Sequence, residues 1–268
     1  MSQYMPYGGF NWVEPKLNRL YDLDDTSSIG LVYEVDVSYP QHLHDHHNDL
    51  PFLPRKSVPL GSKVRKLMAT FEKKKNYLVH YRSLQQAIKN GLIVEKVHRV
   101  IQFNQPDWLA KYINLNTEMR KRAKNDFEKH FFKLMNNAVF GMLLWFAVLD
   151  ISKTKMYDYH YNIMKKHYKD KIKLMYTDTD SLVYHMQTED FYADLAANAN
   201  LLDRMDTANL PSDHPCYVAG RKKTPGLFSD EVNGNVITEF CALRAKSYAF
   251  NIYQGPEDRV GSEKIKAI

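Results

Sequence analysis

The chain has 268 residues, of which 44% are hydrophobic and 25% charged, and its formal net charge at pH 7 is +6. This composition excludes an intrinsically disordered or collagen-like chain, and no apolar run approaches the ~20 residues that a membrane-spanning helix needs. Two cysteines, Cys216 and Cys241, are too few and too far apart for a disulfide framework or a zinc ribbon. We therefore expect a soluble intracellular protein in which both cysteines are reduced and buried.

The charge is unevenly distributed along the chain. Residues 1–54 carry two basic and eight acidic side chains, residues 55–133 carry 19 and six, and residues 134–268 carry 16 and 17. A strongly basic block between acidic or neutral neighbours is typical of a surface that meets phosphate groups beside a separate site rich in carboxylates. A solvated helical face with many lysines explains the same charges equally well.

The first hundred residues are predicted to contain two strands and a helix. Residues 1–29 lack a sustained period and are predicted to be an irregular lead-in. The apolar, β-branched residues 30–36 predict a buried strand that ends in the carboxylate of Asp36. After a proline-rich crossing, a helix is predicted over 77–88 and a strand over 92–103.

The basic block leads into a helical region at 106–145, which the sequence predicts as one helix or as a helical hairpin. Apolar side chains recur there at steps of three to four residues and are expected to face the core: Met119, Ala123, Phe127, Phe131 and Leu134. A basic stripe is predicted on another face of the same helix, formed by Arg122, Lys129 and Lys133.

The second half is predicted to begin with a helix at 156–168 and a β-hairpin at 171–186 that carries acidic residues at its turn. A further helix is predicted over 189–204, followed by a crossing rich in Pro and Gly. Three strands are predicted near the end of the chain, at 227–232, 235–241 and 246–253.

Asp178 and Asp180 are the residues whose spacing points most directly to chemistry. Two residues apart on an extended segment, their side chains would project from the same face, roughly 6–7 Å apart. Neighbouring carboxylates repel each other, and a divalent cation that prefers hard oxygen ligands, Mg²⁺ or Mn²⁺, relieves this repulsion. An Asp-x-Asp sequence is also common in ordinary turns, but the apolar strands on both sides of this one favour a site.

Asp36 is a third candidate because it closes an apolar strand. Three carboxylates at the ends of neighbouring strands would hold two metal ions, as in-line phosphoryl or nucleotidyl transfer requires. One ion would activate the attacking hydroxyl, and the other would stabilise the leaving pyrophosphate.

Four segments resemble motifs of the B-family DNA polymerases, and among these the protein-primed enzymes of organelles, viruses, linear plasmids and self-synthesising DNA transposons. Residues 176–181 match the third palm motif, Tyr-x-Asp-Thr-Asp-Ser, at every fixed position. Residues 133–141 resemble the second motif, Lys-x-x-x-Asn-Ser-x-Tyr-Gly, and residues 36–40 resemble a shortened form of the first, Asp-x-x-Ser-Leu-Tyr-Pro. Residues 244–248 are similar to the family's Lys-x-Tyr element, and the four segments occur in the family's order.

The resemblance implies a role for each matching residue. Asp36, Asp178 and Asp180 would be the catalytic carboxylates and the metal ligands. The side chains implied to contact the incoming nucleotide are Lys133, Lys121, Asn137 and Tyr39. Those implied to contact template or primer are Gly141, Thr179, Lys246 and Tyr248.

The resemblance also implies the fold. The expected architecture is α+β: a palm whose four-stranded antiparallel sheet, backed by helices, presents the three carboxylates, with helical fingers and an incomplete thumb. The implied division is an irregular lead-in at 1–29, a first palm part with an inserted connecting region at 30–105, fingers at 106–145, a second palm part at 146–253, and the start of a truncated thumb or a tail at 254–268.

The implied function is template-dependent addition of deoxynucleotides to a primer 3′ hydroxyl by a DNA-directed DNA polymerase that uses two Mg²⁺ ions, or Mn²⁺. Its partners would be primer–template DNA, deoxynucleoside triphosphates and a terminal protein primer, without a membrane. An origin in a eukaryotic mobile element would place the protein in the nucleus. Because the 35 residues before Asp36 are too few for the family's exonuclease domain, no proofreading is expected.

Two alternative functions stay open. A truncated chain is consistent with a catalytically inactive remnant that still binds DNA, and a different two-metal nucleotidyl transferase or nuclease would fit if the second motif were accidental. The histidine run from His42 to His47 is a candidate zinc site, but contiguous ligands rarely close a tetrahedral site, and loop histidines are the more common explanation.

Overall fold

The computed structural model describes residues 3–138, 142–232, 234–244, 247–253 and 264–267, of which Asn137, Met142, Arg244 and 264–267 are described by their backbone alone. The chain divides into two compact units, Met1–Asp158 (unit 1) and Tyr159–Ile268 (unit 2), which are described in turn. Helices are combined with mainly antiparallel sheets, in agreement with the predicted α+β class. Within the described ranges, no helix is both long and apolar enough to cross a lipid bilayer.

Unit 1 is built around a four-stranded antiparallel sheet. The described strands of unit 1 are β1 (Gly8–Val13), β2 (Ile29–Ser38), β3 (Arg55–Ser57), β4 (Lys66–Met68), β5 (Lys74–His80) and β6 (Ile93–Asn104). The sheet has the order β1-β6-β2-β5, and β3 pairs with β4 in a separate hairpin. The predicted irregular lead-in is therefore wrong over Gly8–Val13, because β1 pairs with the distant strand β6.

The inner strand β2 confirms the strand predicted at 30–36 and extends beyond it. Its buried apolar residues occupy both faces of the strand: Leu31, Val32, Tyr33, Val35 and Val37. The strand continues to Ser38 because Val37, only 2% exposed, still packs in the core. Asp36 therefore lies inside the strand and does not end it.

The described helices of unit 1 are α1 (Tyr81–Lys89), which lies between β5 and β6, and then α2 (Ala110–Arg122), α3 (Asp126–Asn137) and α4 (Met142–Tyr157). The helix predicted at 77–88 begins only at Tyr81, because residues 77–80 pair with β2 as the end of β5. The backbone turns extended at Ala123, and Asn125 then caps α3 by accepting the Glu128 N–H at 2.8 Å. The predicted helical region at 106–145 thus contains α2, α3 and the beginning of α4.

Two predictions for these helices are wrong. The apolar side chains expected in the core are exposed at several positions: Met119 by 42%, Phe127 by 80%, Phe131 by 46% and Leu134 by 64%. The predicted basic stripe does not lie on one helix, because Arg122 ends α2 whereas Lys129 and Lys133 belong to α3. The core beside these helices is instead formed by Met5, Leu109, Ile113, Leu144, Ala147 and Ile151.

Unit 2 contains the predicted hairpin and smaller sheets. Its strands are β7 (Ile172–Asp178), β8 (Ser181–Met186), β9 (Met205–Asp206), β10 (Phe228–Ser229), β11 (Ile237–Arg244), β12 (Ser247–Ile252) and β13 (Lys264–Ala267). β7 and β8 form a two-stranded sheet of their own, β9 pairs with β10 in parallel, and β11-β12-β13 form an antiparallel sheet. The four-stranded sheet is thus made of unit 1 strands. Among the described residues, the strand that carries Asp36 does not share a sheet with the hairpin that carries Asp178 and Asp180, as the prediction of one palm sheet required.

The helices of unit 2 are short. The helix predicted at 156–168 is present as the end of α4, a π-helical segment (Asp158–Met164) and α5 (Lys165–Tyr168). In place of one helix at 189–204 there are α6 (Phe191–Ala197) and α7 (Ala199–Leu202), separated by Asn198, whose side chain caps α7. Cys216 is buried in the core, but Cys241 is exposed, so the prediction that both are buried is wrong for Cys241. The core residues of unit 2 are Tyr159, Met164, Tyr168, Ile172, Leu195, Leu201, Met205 and Cys216.

Candidate active site

Two carboxylates lie side by side on one face of β2. Glu34 and Asp36 are two residues apart on a strand, so their side chains project to the same side. The side chain of Glu34 is 11% exposed, and that of Asp36 is 18% exposed. The polar face of β2 is therefore only partly accessible to solvent, and Asp36 is more accessible than Glu34.

Asp36 is held by the two strands that flank β2. Its Oδ1 accepts a hydrogen bond from the backbone N–H of Asn76 in β5 at 2.9 Å and one from Nε2 of His98 in β6 at 2.8 Å. The hydrogen bond from the Asn76 N–H, and to a smaller extent that from His98, lower the pKa of the Asp36 carboxyl. No hydrogen bond within the described ranges reaches Oδ2 of Asp36, so one oxygen remains available to a cation.

Glu34 has both oxygens engaged. Oε2 accepts from Nε of Arg99 at 2.5 Å, and Oε1 accepts from the side-chain amide of Asn76 at 2.9 Å. The Arg99 bond, and after it the Asn76 bond, lower the pKa of Glu34. Asn76 thus binds both carboxylates of β2, one with its backbone and one with its side chain.

Irregular strand pairing produces these contacts. Where β2 pairs with β6, the register shifts between Glu34 and Val35, so that His98 is an extra residue on β6. Where β2 pairs with β5, the register shifts between Val35 and Val37, and Asn76 of β5 has a φ of +50° there. A β-bulge redirects a side chain that regular alternation would aim elsewhere, and such bulges are common beside active sites. The ring of His98 and the N–H of Asn76 reach Asp36 for this reason.

The sequence interpretation missed Glu34, Asn76 and His98. A signal for Glu34 was present: it stands five residues before Tyr39, which is the spacing between Asp and Tyr in the first motif, Asp-x-x-Ser-Leu-Tyr-Pro. Asp36 fits that motif only in a shortened form. Glu34 and Asp36 are therefore both candidates for the first-motif carboxylate.

The acidic turn of unit 2 joins β7 to β8, as predicted. Asp178 pairs with Ser181 across the hairpin, and Thr179 and Asp180 form the turn. Thr179 has a φ of +52°, and the N–H of Asp180 donates to the carbonyl of Asp178 at 2.6 Å. The segment is therefore not extended, so the predicted same-face projection of Asp178 and Asp180 from a strand is wrong, because the left-handed Thr179 interrupts the alternation.

Further hydrogen bonds fix Asp178 at the end of β7. Its Oδ1 accepts from the hydroxyl of Thr179 at 3.0 Å, and its carbonyl accepts from the hydroxyl of Ser181 at 3.1 Å. Asp180 is exposed in the turn. The turn therefore offers one oriented and one solvent-facing carboxylate.

An aromatic cluster connects this hairpin with β11 and β12. The ring centroid of Tyr176 in β7 lies 5.1 Å from that of Tyr248 in β12 and 5.9 Å from that of Phe240 in β11. Phe240 and Tyr248 stack at 5.8 Å. Tyr248, predicted to contact the primer, is thus packed against the strand that ends in Asp178, whereas Lys246 lies outside the described residues.

Three of the four predicted nucleotide-binding residues lie on α2 and α3. Lys133 is exposed on α3. Lys121, in the last turn of α2, forms an ion pair with Glu118 at 3.0 Å. Asn137 ends α3 and is described by its backbone alone, and Gly141 lies outside the described residues.

Tyr39 is buried in unit 1 rather than open to solvent. Its hydroxyl lies 2.7 Å from Nδ1 of His47 and accepts the N–H of Phe52 at 3.4 Å, and burial raises its pKa to about 12. Its ring meets Phe71 edge-on at 5.0 Å, and His44 stacks on Phe71 at 4.2 Å. Two members of the histidine run, His44 and His47, therefore pack against Tyr39.

Neither unit, over its described residues, gathers three His, Cys, Asp or Glu side chains close enough to hold a metal ion. The zinc interpretation of the histidine run thus gains no support. The donors that are present still suit Mg²⁺, since the hairpin turn and β2 offer only hard carboxylate oxygens, one of them without a hydrogen bond. The three-carboxylate metal site stays a prediction.

The model for DNA polymerase type B, organellar and viral, matches residues 1–206. No curated protein matches the chain.

Solved structures of Phi29 DNA polymerase are similar in fold. The orthorhombic crystal form matches over 99% of this chain with a TM-score of 0.63, and the complex with primer–template DNA matches over 98% with a TM-score of 0.58. Sequence identity is 14% in both comparisons, so the likeness concerns the fold alone. The chain spans less than half of these structures, 48% and 44% of their respective lengths.

Proposed function

Because the chain belongs to the organellar and viral type B DNA polymerases, we propose that it performs their central reaction, the template-directed addition of deoxynucleotides to a primer 3′ hydroxyl. The observation that carries the proposal is the Asp178-Thr179-Asp180 turn between β7 and β8. It places the third palm motif at the tip of a hairpin, next to the ring cluster that holds Tyr248.

The carboxylates of the turn, together with one from β2, are the proposed ligands of two Mg²⁺ ions, or Mn²⁺. When bound, these ions would favour ionisation of the primer hydroxyl and offset negative charge on the leaving pyrophosphate. The hydrogen bonds favour Asp36 over Glu34 as the ligand from β2, because no described residue donates to Oδ2 of Asp36, whereas both oxygens of Glu34 accept hydrogen bonds. The spacing of the first motif favours Glu34, so variants of both carboxylates are compared in the same assay.

Lys133 is the favoured contact for the triphosphate of the incoming nucleotide. It is exposed and forms no ion pair within the described ranges, whereas Lys121 is already paired with Glu118. Tyr39 would act on the nucleotide only through its ring, because its hydroxyl is bonded to His47 inside unit 1. Asn137, Gly141, Thr179 and Lys246 keep their proposed roles from the motif match.

Primer–template DNA is the proposed partner. Phi29 DNA polymerase, whose fold the chain shares, has been solved with primer–template DNA and with single-stranded DNA. The basic block at 55–133 suits phosphate contacts that do not read sequence. Deoxynucleoside triphosphates and a terminal protein primer are proposed from the family alone.

The test is extension of a labelled primer on a gapped template. We expect extension with Mg²⁺ or Mn²⁺, none after chelation with EDTA, and recovery when the metal is restored. Asp180→Asn should lower the rate at least about 100-fold, since it removes a metal ligand, whereas Asp170→Asn, an exposed carboxylate of the same unit, should leave it unchanged. Extension unaffected by Asp180→Asn would refute the metal assignment.

The same assay separates the remaining options. Asp36→Asn should cost at least about 100-fold and Glu34→Gln less than about 10-fold, and the reverse order would transfer the ligand role to Glu34. Absence of extension with salt-sensitive DNA binding retained would favour the inactive remnant. Degradation of the labelled strand without extension would favour the two-metal nuclease.

A further inference from the structure

Helix α3 exposes an aromatic face that the proposed chemistry does not use. Phe127, Phe131 and Leu134, spaced at four and three residues, lie on one side of the helix and are exposed by 80%, 46% and 64%. The rings of Phe127 and Phe131 are 6.5 Å apart and within 21° of parallel. We call these three residues the aromatic face of α3.

This face is not the side on which α3 packs. The opposite side meets α2, where the Tyr112 hydroxyl donates to the carbonyl of Met135 at 3.0 Å. Phe132 and Asn136, four residues apart on the side of α3 away from the aromatic face, are half-buried. The helix is therefore already anchored, and the aromatic face is left over after that packing.

The helices α2 and α3 and the turn between them carry an excess of positive charge. From Ala110 to Asn137 there are seven Lys or Arg and three Asp or Glu. The three acidic side chains are engaged locally: Glu118 with Lys121, Asp126 with Lys129, and Glu128 with the N–H of Lys124. In the described part of the chain, no ion pair neutralises Arg122, Lys124 or Lys133.

We propose that the aromatic face of α3 binds unpaired, single-stranded DNA, whose bases stack on Phe127 and Phe131 while its phosphates meet the neighbouring cations. Base–aromatic stacking tolerates any base, and rings beside a basic surface are the usual combination in single-strand-binding proteins. A duplex offers phosphates but hides its base faces, so it would use the cations alone. This proposal rests on the proposed function only because both take DNA as the substrate. The strand bound by α3 would be one that is not paired with the primer.

The test measures binding of a fluorescent oligothymidylate of about 12 nucleotides to the full chain by anisotropy. The double variant Phe127→Ala/Phe131→Ala should raise Kd at least about 10-fold, because each stack is lost. Phe127→Tyr/Phe131→Tyr should bind like the wild type, because the ring faces are kept. Leu115→Ala, which truncates an exposed apolar side chain on α2 (61% exposed), should change Kd less than twofold.

Several outcomes would overturn the proposal. One is equal affinity of the alanine variant and the wild type for the oligothymidylate, and another is an equal loss of affinity for blunt duplex DNA, which would indicate a general effect on charge or folding. Loss of a dimer in light scattering with unchanged DNA binding would assign the face to a second copy of the chain. Wild-type primer extension without single-strand binding would refute this inference and leave the proposed polymerase function intact.

Discussion

His80 makes the stability of unit 1 dependent on pH. Its ring is fully buried beside Tyr81 and Phe103, and neither ring nitrogen has a hydrogen-bond partner among the described residues. Burial, assisted by the charge of Arg82, lowers its pKa from 6.5 to about 3. In the unfolded chain the ring takes up a proton near pH 6.5, so unfolding is favoured as the pH falls below that value.

The size of the effect follows from the two pKa values. The loss amounts to about 5 kcal/mol over the whole interval from about pH 6.5 to about pH 3, and to about 2 kcal/mol between about pH 7.5 and pH 5. Between about pH 7.5 and pH 5, Glu34 and Asp36 contribute little to this change, because their pKa values are lowered from 4.5 and 3.8 and they take up protons mainly below this range. Stability is therefore highest above pH 6.5 and is lost progressively below it.

Urea unfolding followed by tryptophan fluorescence measures this loss, because all three tryptophans lie in unit 1. The wild type should lose about 2 kcal/mol between pH 7.5 and pH 5. His80→Leu, which keeps the volume and removes the titration, should lose less than about 0.5 kcal/mol. His42→Gln, at an exposed histidine, should behave like the wild type. An unchanged pH dependence in His80→Leu would refute the reasoning.

Two further predictions concern residues next to the site. Tyr39→Phe removes the hydroxyl bonded to His47 and should cost about 1–2 kcal/mol in urea unfolding with little change in primer extension; altered selection between ribo- and deoxynucleotides without loss of stability would contradict the buried-hydroxyl account. Tyr176→Leu removes the ring that packs against Tyr248 and should raise the KM for primer–template DNA about 2- to 10-fold, with the nucleotide KM unchanged and Tyr176→Phe unaffected. An unchanged DNA KM in Tyr176→Leu would show that the ring contact does not position Tyr248.

Local features were predictable from the sequence. The hairpin that carries Asp178 and Asp180 joins adjacent segments by a two-residue turn, so alternation and turn residues are enough to place it. The strand β2 was likewise evident from its apolar, β-branched run. In contrast, β1 pairs with β6, with Gly8 opposite Asn104. A local sequence pattern does not predict pairing between strands so far apart in the chain.

The surroundings of Asp36 were not predictable because they depend on irregular pairing. His98 and Asn76 reach Asp36 through shifts in strand register, and a period of two residues does not encode these shifts. The aromatic face of α3 shows a different limit. Spacing correctly placed Phe127 and Phe131 on one side of a helix, but amphipathic spacing does not say which neighbour covers that side.

The most direct test of the central claim is template-directed incorporation of single nucleotides. Four primer–templates that differ only in the templating base are each mixed with one deoxynucleotide, the protein and Mg²⁺. The account predicts extension by the complementary nucleotide alone, and loss of all four reactions in Asp180→Asn. Extension that ignores the templating base, cleavage of the strand, or no extension by the wild type in any of the four mixtures would contradict it.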